Sequence, residues 1–122
     1  MTDYFEPDDM TWKAVDVRGA TMRKSSVWEG EYGVRSAFFR MPEGLCIPAH
    51  DHSKWVQVAV IEGRMRVEQD GLAPREIGAG GIYFVTAGER HTETSLVDTL
   101  VLVTQGEDRP GVPGGPPGGL PA

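Results

Sequence analysis

The sequence predicts an all-β domain of the sandwich or jelly-roll barrel kind, and three observations carry that prediction. Short runs rich in Val, Ile, Phe, Tyr and Thr recur along the chain, the residue types that suit a pleated, half-buried surface. Turn-forming clusters separate them, among them Pro42-Glu43-Gly44, Glu62-Gly63, Asp70-Gly71 and Gly78-Ala79-Gly80-Gly81. No window sustains an apolar 3.6-residue period over ten or more positions, which argues against long helices. Strands are expected at 34–41, 45–52, 55–61, 64–69, 82–85 and 99–104. Many short strands at regular spacing are what a closed double sheet requires.

Length and charge narrow the function classes. The 122 residues fit one domain with a core of its own. The formal net charge of −6 disfavours a nucleic-acid backbone or an anionic membrane as partner. Apolar runs are only a few residues long, far short of a membrane span. The acidic start of the chain shows no secretory signal, and a single cysteine, Cys46, offers no internal disulfide. A cytoplasmic protein acting on a small molecule is the expectation. Ten of the fourteen residues in 109–122 are Gly or Pro. With almost nothing to bury, this segment is expected to be a flexible tail appended to a domain spanning 1–108.

The three histidines carry the chemical signal. His50 and His52 flank Asp51 at the end of an apolar run. Strand residues two apart project from one face, so both imidazoles can reach a single ion at about 2.0–2.2 Å. His91 follows a glycine turn some forty residues later, where a neighbouring strand can return it to the same place.

Gly44, five residues, His50-x-His52 and a stretch ending at Gly63 resemble the first motif of the cupin family. Gly80, five residues, then Thr86-Ala87-Gly88-x-x-His91 resemble the second. The two motifs span 44–63 and 80–95. The resemblance implies a single cupin jelly-roll barrel with one divalent metal ion at its mouth, held by His50, His52 and His91, and a homodimer. Departures are visible. Thr86 stands where the family usually has Pro, Ser95 where it has Asn, and Gly81 where it has Asp. The family's fourth ligand, a Glu, is also missing. Counting back from Gly63 puts Val56 at its place, and a hydrocarbon cannot bind metal. Counting forward from His52 gives Gln57, and related cupins use Gln as a ligand. Strand alternation does not choose, since Val56, Val58 and Val60 face one way while Trp55, Gln57, Ala59 and Ile61 face the other. Gln57 is therefore either a ligand brought inward by a bulge or a glutamine facing solvent or an interface.

Other residues have two readings each. Glu93, two after His91, can act as an acceptor behind a ligand or as a general base. Cys46 shares strand parity with His50, which predicts a small buried core residue. Trp55 and Tyr83 fit either the core or the pocket. Arg64 and Arg66 share a strand face that either holds an anionic substrate or is simply solvated. The leading functional expectation is a non-haem Fe(II) dioxygenase of a small oxygenated organic molecule. The alternatives are a non-redox isomerase, cyclase or lyase using Zn, Ni or Mn on a sugar or ketone, and a ligand-binding sensor without turnover.

The tail is expected to be dispensable for folding. Truncation after Asp108 should leave the melting temperature within about two degrees in a calorimetric scan, because so little apolar surface is lost.

Overall fold

Tight glycine turns and strongly β-prone runs fold the chain back on itself into two facing antiparallel sheets. The computed structural model describes residues 2–6 and 9–107, so the expected tail at 109–122 lies outside the described residues. Ten strands are present in that span: β1 (Lys13–Val17), β2 (Ala20–Glu29), β3 (Arg35–Met41), β4 (Cys46–His50), β5 (Trp55–Glu62), β6 (Arg64–Gln69), β7 (Arg75–Gly78), β8 (Ile82–Val85), β9 (His91–Ser95) and β10 (Thr99–Gly106). One sheet has six strands in the order β1-β2-β3-β10-β5-β8, the other four in the order β4-β9-β6-β7. No α-helix occurs among the described residues. The all-β barrel is as the sequence predicts.

The six expected strands all form, two of them with the expected bounds. The strands at 13–17, 20–29, 75–78 and 91–95 went unpredicted. Those segments are polar or charged, and their strand state comes from pairing with neighbours rather than from an apolar pattern.

Alternation along β5 decides what faces the interior. Val56, Val58 and Val60 are buried between the sheets, and Gln57 is exposed on the outer face. In the β5–β10 register Val58 lies opposite Val103 and Val60 opposite Val101, so both strands present valines to the same side. Met65 from the facing sheet is fully enclosed, and Met22, Met41 and Ile47 complete the core. Burying each such side chain contributes about 1.5–3 kcal/mol.

Two glycines of the motif turns show different constraints. Gly63 has φ +92°, and a Cβ there would lie 2.5 Å from Thr99 Oγ1 and 2.6 Å from the Asp98 carbonyl oxygen. Gly80 has nearly the same φ, +89°, with nothing within 4 Å. Gly80→Ala should cost about 1 kcal/mol of conformational strain. Gly63→Ala should cost several kcal/mol, since the close approach adds to the same strain. Urea denaturation of the two variants checks the ordering.

Candidate metal centre

The site is built on the pairing of β4 with β9. His50 lies directly opposite His91 in this ladder, with a register shift between Ile47 and His50. The shift places Ile47 and His50, three residues apart, both on the buried side. It also overturns the expectation for Cys46. Parity with His50 is broken by the irregularity, and Cys46 is exposed. β4 ends at His50, so His52 belongs to the following loop rather than to the strand. That loop is anchored where it must be: Gly88 N donates to the His52 carbonyl at 2.7 Å, and Arg18 Nη2 to the Asp51 carbonyl at 3.1 Å.

The three imidazoles meet. Ring centroids lie 4.7 Å apart for His50 and His52, 4.3 Å for His50 and His91, and 5.1 Å for His52 and His91. Glu93 joins them from the same face of β9, two residues beyond His91. One ligand atom from each of His50, His52, His91 and Glu93 lies within 4.8 Å of the other three. Atoms bound at about 2.1 Å to one ion lie at most about 4.2 Å apart, so small side-chain adjustments close this set on a metal.

Hydrogen bonds orient the donors. His50 Nδ1 sits 2.6 Å from the Pro48 carbonyl and His91 Nδ1 3.3 Å from that of Glu89. A carbonyl only accepts, so each Nδ1 donates there, and each Nε2 is left turned to the centre, where it holds either a proton or a metal ion. Those Nε2 atoms face Glu93 Oε1 at 3.6 Å and 3.0 Å. A lone pair and a carboxylate oxygen in such contact repel unless a cation, a proton or a metal, lies between them. The donor set thus fits a divalent ion. Glu93 Oε2 accepts from the Tyr83 hydroxyl on β8.

Charge states follow the burial. Desolvation, with His50 and His91 close by, lowers the His52 pKa to about 4 and keeps that ring neutral. Burial alone would lower His91, but the Glu93 hydrogen bond and charge hold its pKa above the ordinary value. Burial likewise opposes the charge on Glu93, and the hydrogen bonds from His91 and Tyr83 outweigh it and hold the carboxyl below its usual range. Burial and the adjacent Glu93 charge push Tyr83 well upward.

The other candidates are placed elsewhere. Gln57 points outward opposite Phe84 and Thr104, away from the imidazoles, and no bulge turns β5 there. The carboxylate beside the histidines comes from the second motif instead. Arg64 and Arg66 are exposed, paired with Glu76 at 2.7 Å and Glu68 at 3.6 Å. The role of Tyr83 was not legible in advance, because it lies on the opposite sheet and contacts the cluster only through Glu93.

A cavity of about 120 Å³ opens on this cluster, with His50, His52 and Glu93 on one side and Val56, Val58 and Val103 on the other. A larger hollow of about 490 Å³ shares Met22 and Met41 with it. Its charged lining is Arg23, Arg40, Glu62 and Asp98, with no imidazole.

Two facing sheets that enclose converging imidazoles and a carboxylate define a cupin with a possible metal site. The chain belongs to the ChrR cupin-like domain family, whose model matches residues 1–108. Solved structures of similar fold include KdgF from Halomonas sp., at TM-score 0.74 and 19% identity over 89% of this chain and 98% of that one. A predicted oxalate decarboxylase from Thermotoga maritima aligns at TM-score 0.75 and 18% identity, over 86% of this chain and 99% of the other. The polyketide cyclase RemF from Streptomyces resistomycificus aligns at TM-score 0.74 and 22% identity, over 93% and 84%. At these identities the likeness concerns the fold alone. No curated protein sequence matches the chain.

The geometry separates the two candidate fourth ligands. In a chelator competition with zinc, Glu93→Ala should weaken metal binding by at least about tenfold, and Tyr83→Phe by about tenfold through loss of the carboxylate's support. Gln57→Ala should match the wild type. A loss of affinity in Gln57→Ala alone would reverse the assignment.

Proposed function

We propose that this chain is a metal-dependent enzyme, a non-haem Fe(II) dioxygenase acting on a small oxygenated organic molecule held between its sheets. The observation that supports this reading is the convergence of three imidazoles and one carboxylate on an apolar cavity. A donor set of nitrogen and oxygen without thiolate suits iron(II), and also zinc, nickel or manganese. Bound there, such an ion supplies Lewis acidity toward a carbonyl or enolate oxygen and, as iron(II), redox chemistry with dioxygen.

The protein's own residues do the rest. The Pro48 and Glu89 carbonyls hold His50 and His91 with Nε2 turned to the centre. Glu93 is assigned to holding the ion rather than to proton transfer, since Tyr83 occupies one oxygen and the imidazoles face the other. Its lowered pKa also makes it a poor base at neutral pH. Val56, Val58, Val101 and Val103 line the opposite wall, where they exclude water and favour an apolar substrate body. The working form is taken to be a homodimer, as the cupin resemblance implies, in the cytoplasm that the single cysteine suits.

A second reading draws on the buried Tyr83–Glu93 hydrogen bond. A phenol that donates to a buried carboxylate beside the site suits a non-redox isomerase, cyclase or lyase with zinc, nickel or manganese. Elemental analysis of protein purified without a histidine tag, followed by oxygen-electrode assays with small ketones, enols and hydroxy acids, tests the pair. The dioxygenase reading expects about one iron per chain and iron-dependent oxygen uptake. Stoichiometric zinc with substrate turnover and no oxygen uptake would replace it with the second.

A further inference from the structure

Beside the metal centre lies a second hollow of about 50 Å³, which shares Phe39, Val103 and Gln105 with the first cavity. Its charged lining residues are Lys24, Glu29 and Arg35. Lys24 points to the inner side of β2, half-buried, with its ammonium 5.7 Å from the centroid of the Phe39 ring. Lys13 stands directly opposite Lys24 in the β1–β2 register. Like charges directly opposite in a ladder destabilise it.

Glu29 is the carboxylate that lines this hollow with Lys24 and Arg35, and Glu6 and Asp9 line a neighbouring hollow with Lys13 and Lys24. Among the described residues, none of Lys13, Lys24 and Arg35 forms an ion pair, although the chain has 18 acidic side chains against 12 basic ones. Glu29 is the cross-strand partner of Arg35, yet the Arg35 guanidinium is turned to Gln105. With the amide set so that its oxygen faces Arg35, Gln105 accepts from Nε and from Nη2, the latter at 2.7 Å. Burial, Arg35 and Lys13 all lower the Lys24 pKa, against a smaller opposing effect of Glu29. Two cations and one carboxylate thus line a hollow that shares Phe39, Val103 and Gln105 with the cavity at the histidine cluster.

We propose that Lys24 and Arg35 form an anion site for the carboxylate of a small organic acid, whose apolar body lies along Phe39 and Val103 toward His50, His52, His91 and Glu93. A guanidinium and an ammonium are the usual partners of a carboxylate, and a low-dielectric wall such as Phe39 strengthens the attraction. The hollow is the size of such a headgroup. This inference deepens the small-molecule reading of the metal centre and rests on it for the position of the reacting end.

Benzoate and its neutral isostere benzamide serve as probes, titrated calorimetrically into zinc-loaded and chelator-stripped full-length protein. Benzoate should bind more tightly than benzamide in both forms and weaken as salt is raised. The Lys24→Met/Arg35→Met double variant should raise the benzoate Kd by about tenfold or more, leave benzamide unchanged, and keep wild-type zinc content. Lys24→Arg should retain benzoate binding. If the double variant does not fold, each single substitution should still raise the benzoate Kd several-fold. Three results overturn the proposal: no benzoate binding, equal benzoate affinity in wild type and double variant, or benzoate binding that requires zinc and ignores the cations. Failure of zinc to bind while the benzoate preference persists would sink the metal reading and leave the anion site standing.

Discussion

The contact between the His50 and His91 Nε2 atoms and one oxygen of Glu93 organises this molecule. It places two imidazole nitrogens and a carboxylate together in a buried space, an arrangement that needs a proton or a metal ion between them. Everything around it acts to keep that arrangement in place. The β4–β9 ladder sets His50 against His91, the two-residue repeat of β9 adds Glu93, and backbone carbonyls fix the imidazole orientations. Tyr83 reaches across from the other sheet to hold the remaining carboxylate oxygen. Inside a low-dielectric barrel these interactions are stronger than in water, and leaving any of them unmatched costs more.

The two sheets divide the work. The four-stranded sheet supplies His50, His91 and Glu93 from adjacent strands, whereas the six-stranded sheet supplies the apolar wall of β5 and β10 and the Lys24 and Arg35 hollow at β2 and β3. The result is a polar centre, a hydrocarbon wall and a hollow lined by two cations and one carboxylate. Such a sequence of environments orients a molecule with a charged head and an oxygenated tail. Orientation of this kind is the main service a protein scaffold gives to a reactive ion.

The irregularity in β4 and the loop after it show how the ligand set was reached. In a regular strand, Cys46, His50 and His52 would share a face. The register shift between Ile47 and His50 breaks that parity, and the strand stops before His52. His52 reaches the cluster all the same, because its loop is pinned by Gly88 and Arg18. The expectation that the three histidines gather held for a reason other than simple alternation. The expectation for Cys46, which rested on alternation alone, did not hold.

By itself the sequence determined the all-β class, the turn positions and the grouping of His50, His52 and His91, because these depend on local propensity and on short, fixed spacings. It left open whether Gln57 joins those histidines and gave Glu93 only a supporting or proton-transfer role. That choice depends on which face of β5 turns inward and on how β9 registers against β4. Both are set by packing between strands distant in the chain. The polar strands β1, β2, β7 and β9 were hidden for the same reason, since neighbouring strands rather than their own side chains stabilise them. The Tyr83–Glu93 bond joins the two sheets, and only their closing on one another brings those residues within reach, whereas Lys24 and Arg35 meet through the pairing of the neighbouring strands β2 and β3.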